Sequence, residues 1–159
     1  MYLTGTETKL TEEGAECSRV IPAGTLILTN SGATLGVPKL LSISGCANDG
    51  IVALLNLRSN ASKQFLYYYL SSLTRNLRDR IKQGSGQPNL NTDIIKSLVV
   101  PWPERTEQDA IATYLEVETA KLDALVSKVE EAIDRLQEYR VALISAAITG
   151  KIDLREAAA

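Results

Sequence analysis

The side chains able to do covalent chemistry are few and poorly placed for it. The 159 residues include no histidine. That excludes Ser-His and Cys-His nucleophile pairs and His-metal sites. Cys17 and Cys46 are the only thiols. They have no Cys-x-x-Cys spacing, and with no export signal they read as reduced thiols of a cytoplasmic protein. Catalysis would fall to carboxylates, lysines or tyrosines, and these do not cluster. No catalytic residue, metal ligand or cofactor site is expected in this chain. What the sequence does concentrate is positive charge and polar amides. Arg75, Arg78, Arg80 and Lys82 crowd one stretch, and Ser85, Gln87 and Asn89 follow in a glycine-rich loop. Cations and amides at that spacing bind rather than react. A basic helix face followed by a turn is also ordinary solvated surface.

The charge is partitioned. Net charge is −2 over the whole chain. Residues 56–103 carry 7 basic side chains (Arg58, Lys63, Arg75, Arg78, Arg80, Lys82, Lys96) against 2 acidic (Asp79, Asp93). Residues 1–55 carry 3 basic against 5 acidic, and residues 104–159 carry 7 against 12. A basic island therefore lies between acidic flanks.

The elements that must position these residues are legible from periodicity. Arg19–Ile21 and Thr25–Thr29 read as strands around a Pro22-Ala23-Gly24 turn. The loop 30–36 contains Asn30 and Ser31. It lacks the Gly-Lys-Ser/Thr ending of a P-loop and the spacing of a dinucleotide fingerprint, so it reads as a turn. Lys39–Ile43 and the apolar run Ile51–Leu57 read as strands, the second buried. From Ala61 to Lys82 the period is helical, with Leu66, Leu70, Leu73, Leu77 and Ile81 on one stripe. Ser97–Val100 reads as a last strand before the stiff Pro101-Trp102-Pro103 joint. The first 17 residues read as unstructured, with a turn at 10–14.

Residues 104–150 read as one helix of about 44 residues, roughly 65 Å long at 1.5 Å rise. Thr106 and Asp109 suggest a capping box at its start, and Thr149-Gly150 a stop at its end. One heptad position carries Leu115, Leu122, Val129, Leu136 and Leu143. The other carries Ile111, Glu118, Leu125, Ala132, Tyr139 and Ala146. This is a coiled-coil pattern, widened by Val126, Ile133 and Ala147. A domain of about 100 residues is near 30 Å across and cannot cover such a stripe, so part of it is expected to meet another chain. The expected fold class is α+β. A small mixed β/helical domain (1–103) precedes one long coiled-coil-forming helix (104–150) and a tail (151–159). No run approaches the roughly 18 apolar residues of a membrane span, so no membrane role is expected.

Several stretches, in this order, carry a resemblance: Val20-Ile21-Pro22-Ala23-Gly24-Thr25-Leu26-Ile27, the Gly-Gln-Pro-Asn-Leu loop at 86–90, Ile95 to Pro103, Glu107-Gln108-Asp109-Ala110-Ile111, and Arg140 to Asp153. Together they resemble the DNA-specificity subunit of type I restriction-modification systems over residues 19–154. The Pro-x-Pro joint followed by Glu-Gln-x-x-Ile is the most specific element. The resemblance implies a non-catalytic subunit whose target recognition domain reads half of a split sequence in double-stranded DNA. It implies docking of methyltransferase (modification) subunits, which bring the S-adenosylmethionine site, and of restriction subunits through the complex. Family members carry two recognition domains and two antiparallel helices in one chain. This sequence has one of each and a short N-terminal part, as expected of a natural half-subunit, a split-gene product or a fragment.

On that basis phosphate contacts are expected from Arg75, Arg78, Arg80 and Lys82. Base contacts are expected from Asn30, Ser31, Ser85, Gln87 and Asn89, since Asn and Gln pair bidentately with adenine. For Gln87 and Asn89 a turn that fixes the joint to the last strand is the slightly better explanation, since this loop belongs to the shared family pattern. Ile111, Leu115, Leu122, Leu125, Val129, Leu136, Tyr139 and Leu143 are the expected interface, in a homodimer or with another half-subunit. The competing expectation is a coiled-coil interaction module with no DNA binding of its own, which the overall acidity favours.

Overall fold

The structure is a computed structural model. It describes residues 1–82 and 90–152, apart from the side chains of Arg80, Ile81 and Lys82. The described elements are β1 (Tyr2–Leu3), α1 (Glu12–Glu16), β2 (Val20–Ile21), β3 (Leu26–Thr29), β4 (Pro38–Leu41), β5 (Gly45–Cys46), β6 (Ile51–Leu54), α2 (Lys63–Lys82), α3 (Thr92–Lys96) and α4 (Arg105–Ile148). They fall into two compact units, Met1–Thr113 and Tyr114–Ala159.

In the first unit a four-stranded sheet runs in the order β1-β4-β3-β6. β3 lies antiparallel to both neighbours, pairing Leu26 with Leu40 and with Leu54. β1 joins β4 in parallel, Tyr2 opposite Leu40. β2 pairs antiparallel with β5 in a separate two-stranded sheet. Successive strand residues face opposite sides. Leu26 packs with Leu40, Phe65, Leu66, Leu70 and Ala112, while Ile27 packs with Ile21 and Leu41. Both faces of β3 are thus covered. That is why its first three residues, Leu26-Ile27-Leu28, are an apolar run instead of an alternating one.

Two readings of the N-terminal stretch are corrected. Residues 2–3 form a strand because the edge of β4 accepts them, a tertiary cause with no local signal. The turn at 10–14 is instead the start of α1, whose N-cap Thr11 accepts from the Gly14 N–H. The expected strand at 97–100 is also absent. Asn91 caps α3 by accepting from Ile94 N–H at 2.8 Å, and α3 ends at Lys96. Beyond it the Val99 carbonyl takes a hydrogen bond from the Tyr69 hydroxyl at 2.6 Å in place of a ladder partner. β6 is half-buried, not fully buried as its composition suggests.

The start of α4 differs from the capping box. Glu104 carbonyl accepts the first helical bond from Gln108 N–H at 2.9 Å, leaving Thr106 inside the helix. Asp109 pairs with Arg105 at 2.7 Å. Gln108 is fully buried. Its side-chain oxygen accepts from Ser62 N–H at 2.8 Å, and its side-chain nitrogen donates to Pro103 carbonyl at 2.9 Å. One amide thereby satisfies a backbone donor just ahead of α2 and a backbone acceptor just ahead of α4. Ile111 and Ala112 continue the attachment by packing on the Leu26–Phe65 core.

In the second unit α4 ends as expected. Gly150 has φ +71. Lys151 N–H reaches Ala146 carbonyl at 2.9 Å and Gly150 N–H reaches Ala147 carbonyl at 3.3 Å. These are the two bonds of a Schellman stop.

Candidate nucleic-acid and partner interfaces

The loop 30–36 is stitched to the C-terminal half of α2. Asn30 N–H donates to Gly50 carbonyl at 2.9 Å, and its carbonyl accepts from Leu90 N–H at 2.7 Å. Thr74 hydroxyl donates to Gly36 carbonyl and Arg78 Nε to Leu35 carbonyl, both at 2.7 Å. Leu35, Leu77 and Leu90 form a buried cluster beneath. The structure therefore brings Asn30, Ser31 and Arg78 to one end of the sheet. Asn30 Oδ1 is buried without a hydrogen-bond partner among the described residues. A buried amide oxygen in that state is costly and normally finds a donor.

The two arginines of α2 differ in role. The Arg75 side chain is 95% exposed, with only a loose contact to Asp79 at 4.0 Å. Arg78 is half-buried and its guanidinium holds the loop through Leu35. Arg75 can therefore meet a phosphate at no structural cost, whereas Arg78 also supports the fold. The side chains of Arg80 and Lys82, and all of Ser85, Gln87 and Asn89, lie outside the described residues.

The partner stripe divides as well. Ile111 is taken up by the core of the first unit. Further along α4, Leu122, Leu125, Val129, Leu136, Tyr139 and Leu143 are all exposed, as are Val126 and Ile133. Leu115 is half-buried. Glu118, which interrupts the stripe, pairs with Lys121 of its own helix at 2.6 Å. An exposed apolar stripe of this length is the mark of an interaction surface. None of the helices in the described residues is long and apolar enough to cross a membrane.

Among cationic residues, sequence reasoning singled out neither Lys63 nor Arg105. Lys63 Nζ donates to Gly24 carbonyl, and Arg105 Nη1 donates to Ala61 carbonyl at 3.2 Å. The signal that could have found them is position, since each opens a helix beside a turn. The Asp109 carboxyl is held below the usual carboxylate range, first by the Ser62 hydroxyl and then by the Arg105 guanidinium. Ser62 Oγ has no hydrogen bond of ordinary geometry among the described residues. Ser62 Oγ therefore acts on Asp109 by proximity, while the Arg105 contact at 2.7 Å is a formed hydrogen bond.

Residues 4–135 match the model of the type I restriction modification DNA specificity domain. The specificity subunit of the type I restriction enzyme MjaIX from Methanocaldococcus jannaschii is 32% identical over 119 residues, which is 72% of this chain and 27% of that protein. A chain in a structure addressing complex assembly and conformational transition of the type I R-M system superposes with TM-score 0.71 at 22% identity, over 81% of this chain and 31% of the other. The HsdS subunit of Thermoanaerobacter tengcongensis gives TM-score 0.60 at 20% identity, over 84% and 32%. The chain spans about three tenths of the length of these relatives. The matched domain, the identity to a curated specificity subunit and the shared mixed sheet with its long helix place this chain in the type I restriction-modification DNA-specificity family.

Proposed function

We propose that this chain is a non-catalytic DNA-reading component of a type I restriction-modification complex. Its first unit reads double-stranded DNA, and α4 pairs with a second helix while offering a seat to methyltransferase subunits. Those subunits would supply S-adenosylmethionine, and restriction subunits would join through the complex in the cytoplasm. The observation that carries this reading is the combination, in one chain, of a specificity-family domain with a helix whose heptad stripe lies open. The basic island supports it, because phosphate neutralisation supplies the sequence-independent part of binding.

Anisotropy of labelled duplexes, titrated between about 50 and 200 mM salt with and without a methyltransferase subunit, tests the reading. Binding that weakens steeply with salt is expected. Absence of binding at every salt, with and without the partner, would leave a protein-interaction module. Arg75→Ala should weaken binding to all sequences and reduce the salt slope by about one. A loss confined to one sequence would make Arg75 a base reader instead.

A further inference from the structure

We infer that a cleft where α2 and α4 begin is a second phosphate-binding site, at the other end of α2 from Arg78. The inference rests on the DNA-binding reading above and assigns residues to it. The cleft has a volume of about 600 Å³ and is walled by the Pro22–Thr25 turn, the segment following β6 and the first residues of α2. Arg58, Lys63 and Arg105 line it, and no carboxylate does.

Two of the three cations, Arg58 and Lys63, are held without being cancelled. Lys63 Nζ is anchored by a neutral carbonyl, that of Gly24. The Arg58 guanidinium lies over the Trp102 ring at 5.7 Å from its centroid, a neutral π face. Neither forms an ion pair among the described residues. Only Arg105 has a counter-charge, Asp109 at 2.7 Å. Glu104 and Glu107 are exposed on the same turn but do not line the cleft. A recess that gathers positive charge in a chain of net charge −2 attracts anions from outside. Its volume far exceeds the roughly 30 Å³ of a water molecule. It therefore accommodates a phosphodiester with its sugar as well as a bare ion. The duplex proposed for this unit supplies such groups in a row. Free phosphate shares the chemistry and is separated by the test.

The test is salt-titrated duplex binding by the wild-type chain and by an Arg58→Gln/Lys63→Gln double variant. The double variant should lose affinity for every sequence, with a salt slope lower by nearly two, at about 0.9 per phosphate contact. Wild-type binding with an unchanged slope in the folded double variant overturns the inference and leaves the DNA reading intact. If the double variant does not fold, the wild-type protein decides. Bound duplex should shield Lys63, but not Lys121, from an amine-reactive reagent, and equal labelling of Lys63 with and without duplex overturns the site. A wild type that binds no duplex at any salt, with and without a methyltransferase subunit, sinks the DNA reading and, with it, the identity of the ligand. Inorganic phosphate titrated against the emission of Trp102, the single tryptophan, then separates the two failures. A saturable response that the double variant lacks keeps the cleft as an anion site, and no response removes it.

Discussion

At the scale of single residues, the motif that most specifically marks the family has a mechanical explanation. Gln108 spends both ends of its amide on backbone groups, Ser62 N–H and Pro103 carbonyl. Gln108→Leu fills similar space and strands both partners in a buried site. It should cost about 2–6 kcal/mol in urea unfolding, at about 1–3 kcal/mol for each of the two groups left unsatisfied. Gln108→Glu keeps the acceptor for Ser62 but sets an oxygen against the Pro103 carbonyl, so it should not rescue. A loss below about 0.5 kcal/mol for Gln108→Leu would show that water replaces the amide. Asp109 gives a pH prediction from the same turn. Its carboxyl is held low in the folded chain by the Ser62 hydroxyl and then by Arg105. A depressed folded value means that its contribution is present above the unfolded value and is lost as pH falls through the folded one. Stability should drop on acidification below the ordinary carboxylate range, and Asp109→Asn should flatten that part of the profile. An identical profile in the variant would remove Asp109 from the acid response. The acidic side chains of the long helix from Asp123 to Glu138 are exposed, and such groups contribute little.

At the scale of elements, what was legible is what local chemistry determines. The apolar run of β3, the helical stripe Leu66-Leu70-Leu77 and the Gly150 stop each carry their cause within a few residues. What was not legible depends on partners distant in sequence. β1 exists because β4 has a free edge, and the sequence around Tyr2 and Leu3 contains no trace of that edge. Residues 97–100 have strand-forming side chains, yet Val99 is 85% exposed and its carbonyl is bound by a tyrosine. α3 did have a local signal in Asn91, hidden by the polar stretch before it. The candidate site was legible as composition and not as geometry. The basic island is real in sequence, but its members separate into a loop-holding Arg78, a solvated Arg75 and a cleft-lining pair, Arg58 and Lys63. The helix stop is the element whose prediction is cleanest. A Cβ on Gly150 would meet nothing within 4 Å, so Gly150→Ala is strained by its φ of +71 alone. The cost should be about 1–2 kcal/mol, confined to the last turn. Amide exchange should quicken at Gly150 and Lys151 while the amides around Leu125 keep their rates. Unchanged exchange at the end would mean that the Schellman bonds do not hold it.

At the scale of the whole molecule, the question is what covers the stripe on α4. A second copy can, because a two-fold axis across the helix lets each chain present the same surface to the other. Leu122, Leu125, Val129, Leu136 and Leu143 are between 45% and 67% exposed in a single copy. Burying them at roughly 1.5–3 kcal/mol for a fully exposed side chain gives several kcal/mol per chain before association costs. Their exposure also makes the test clean. Leu122→Asp with Leu136→Asp removes no contact from the core of the first unit, so it should convert a dimer to a monomer in sedimentation without changing that unit's unfolding. Loss of its fold would mean that the stripe packs within its own chain. Wild-type protein that sediments as a monomer at about tens of micromolar would rule out self-pairing and point to a different half-subunit or to methyltransferase helices. DNA provides an independent reading of the same dimer. Two identical units related by a two-fold axis should prefer an inverted repeat with a fixed gap, and changing the gap should weaken binding by removing the second contact. The aspartate pair should abolish that preference and leave the weaker binding of a single unit to one half-site. A gap preference that survives in monomeric protein would place spacing control in the first unit, and the helix would then have no part in setting the distance between half-sites.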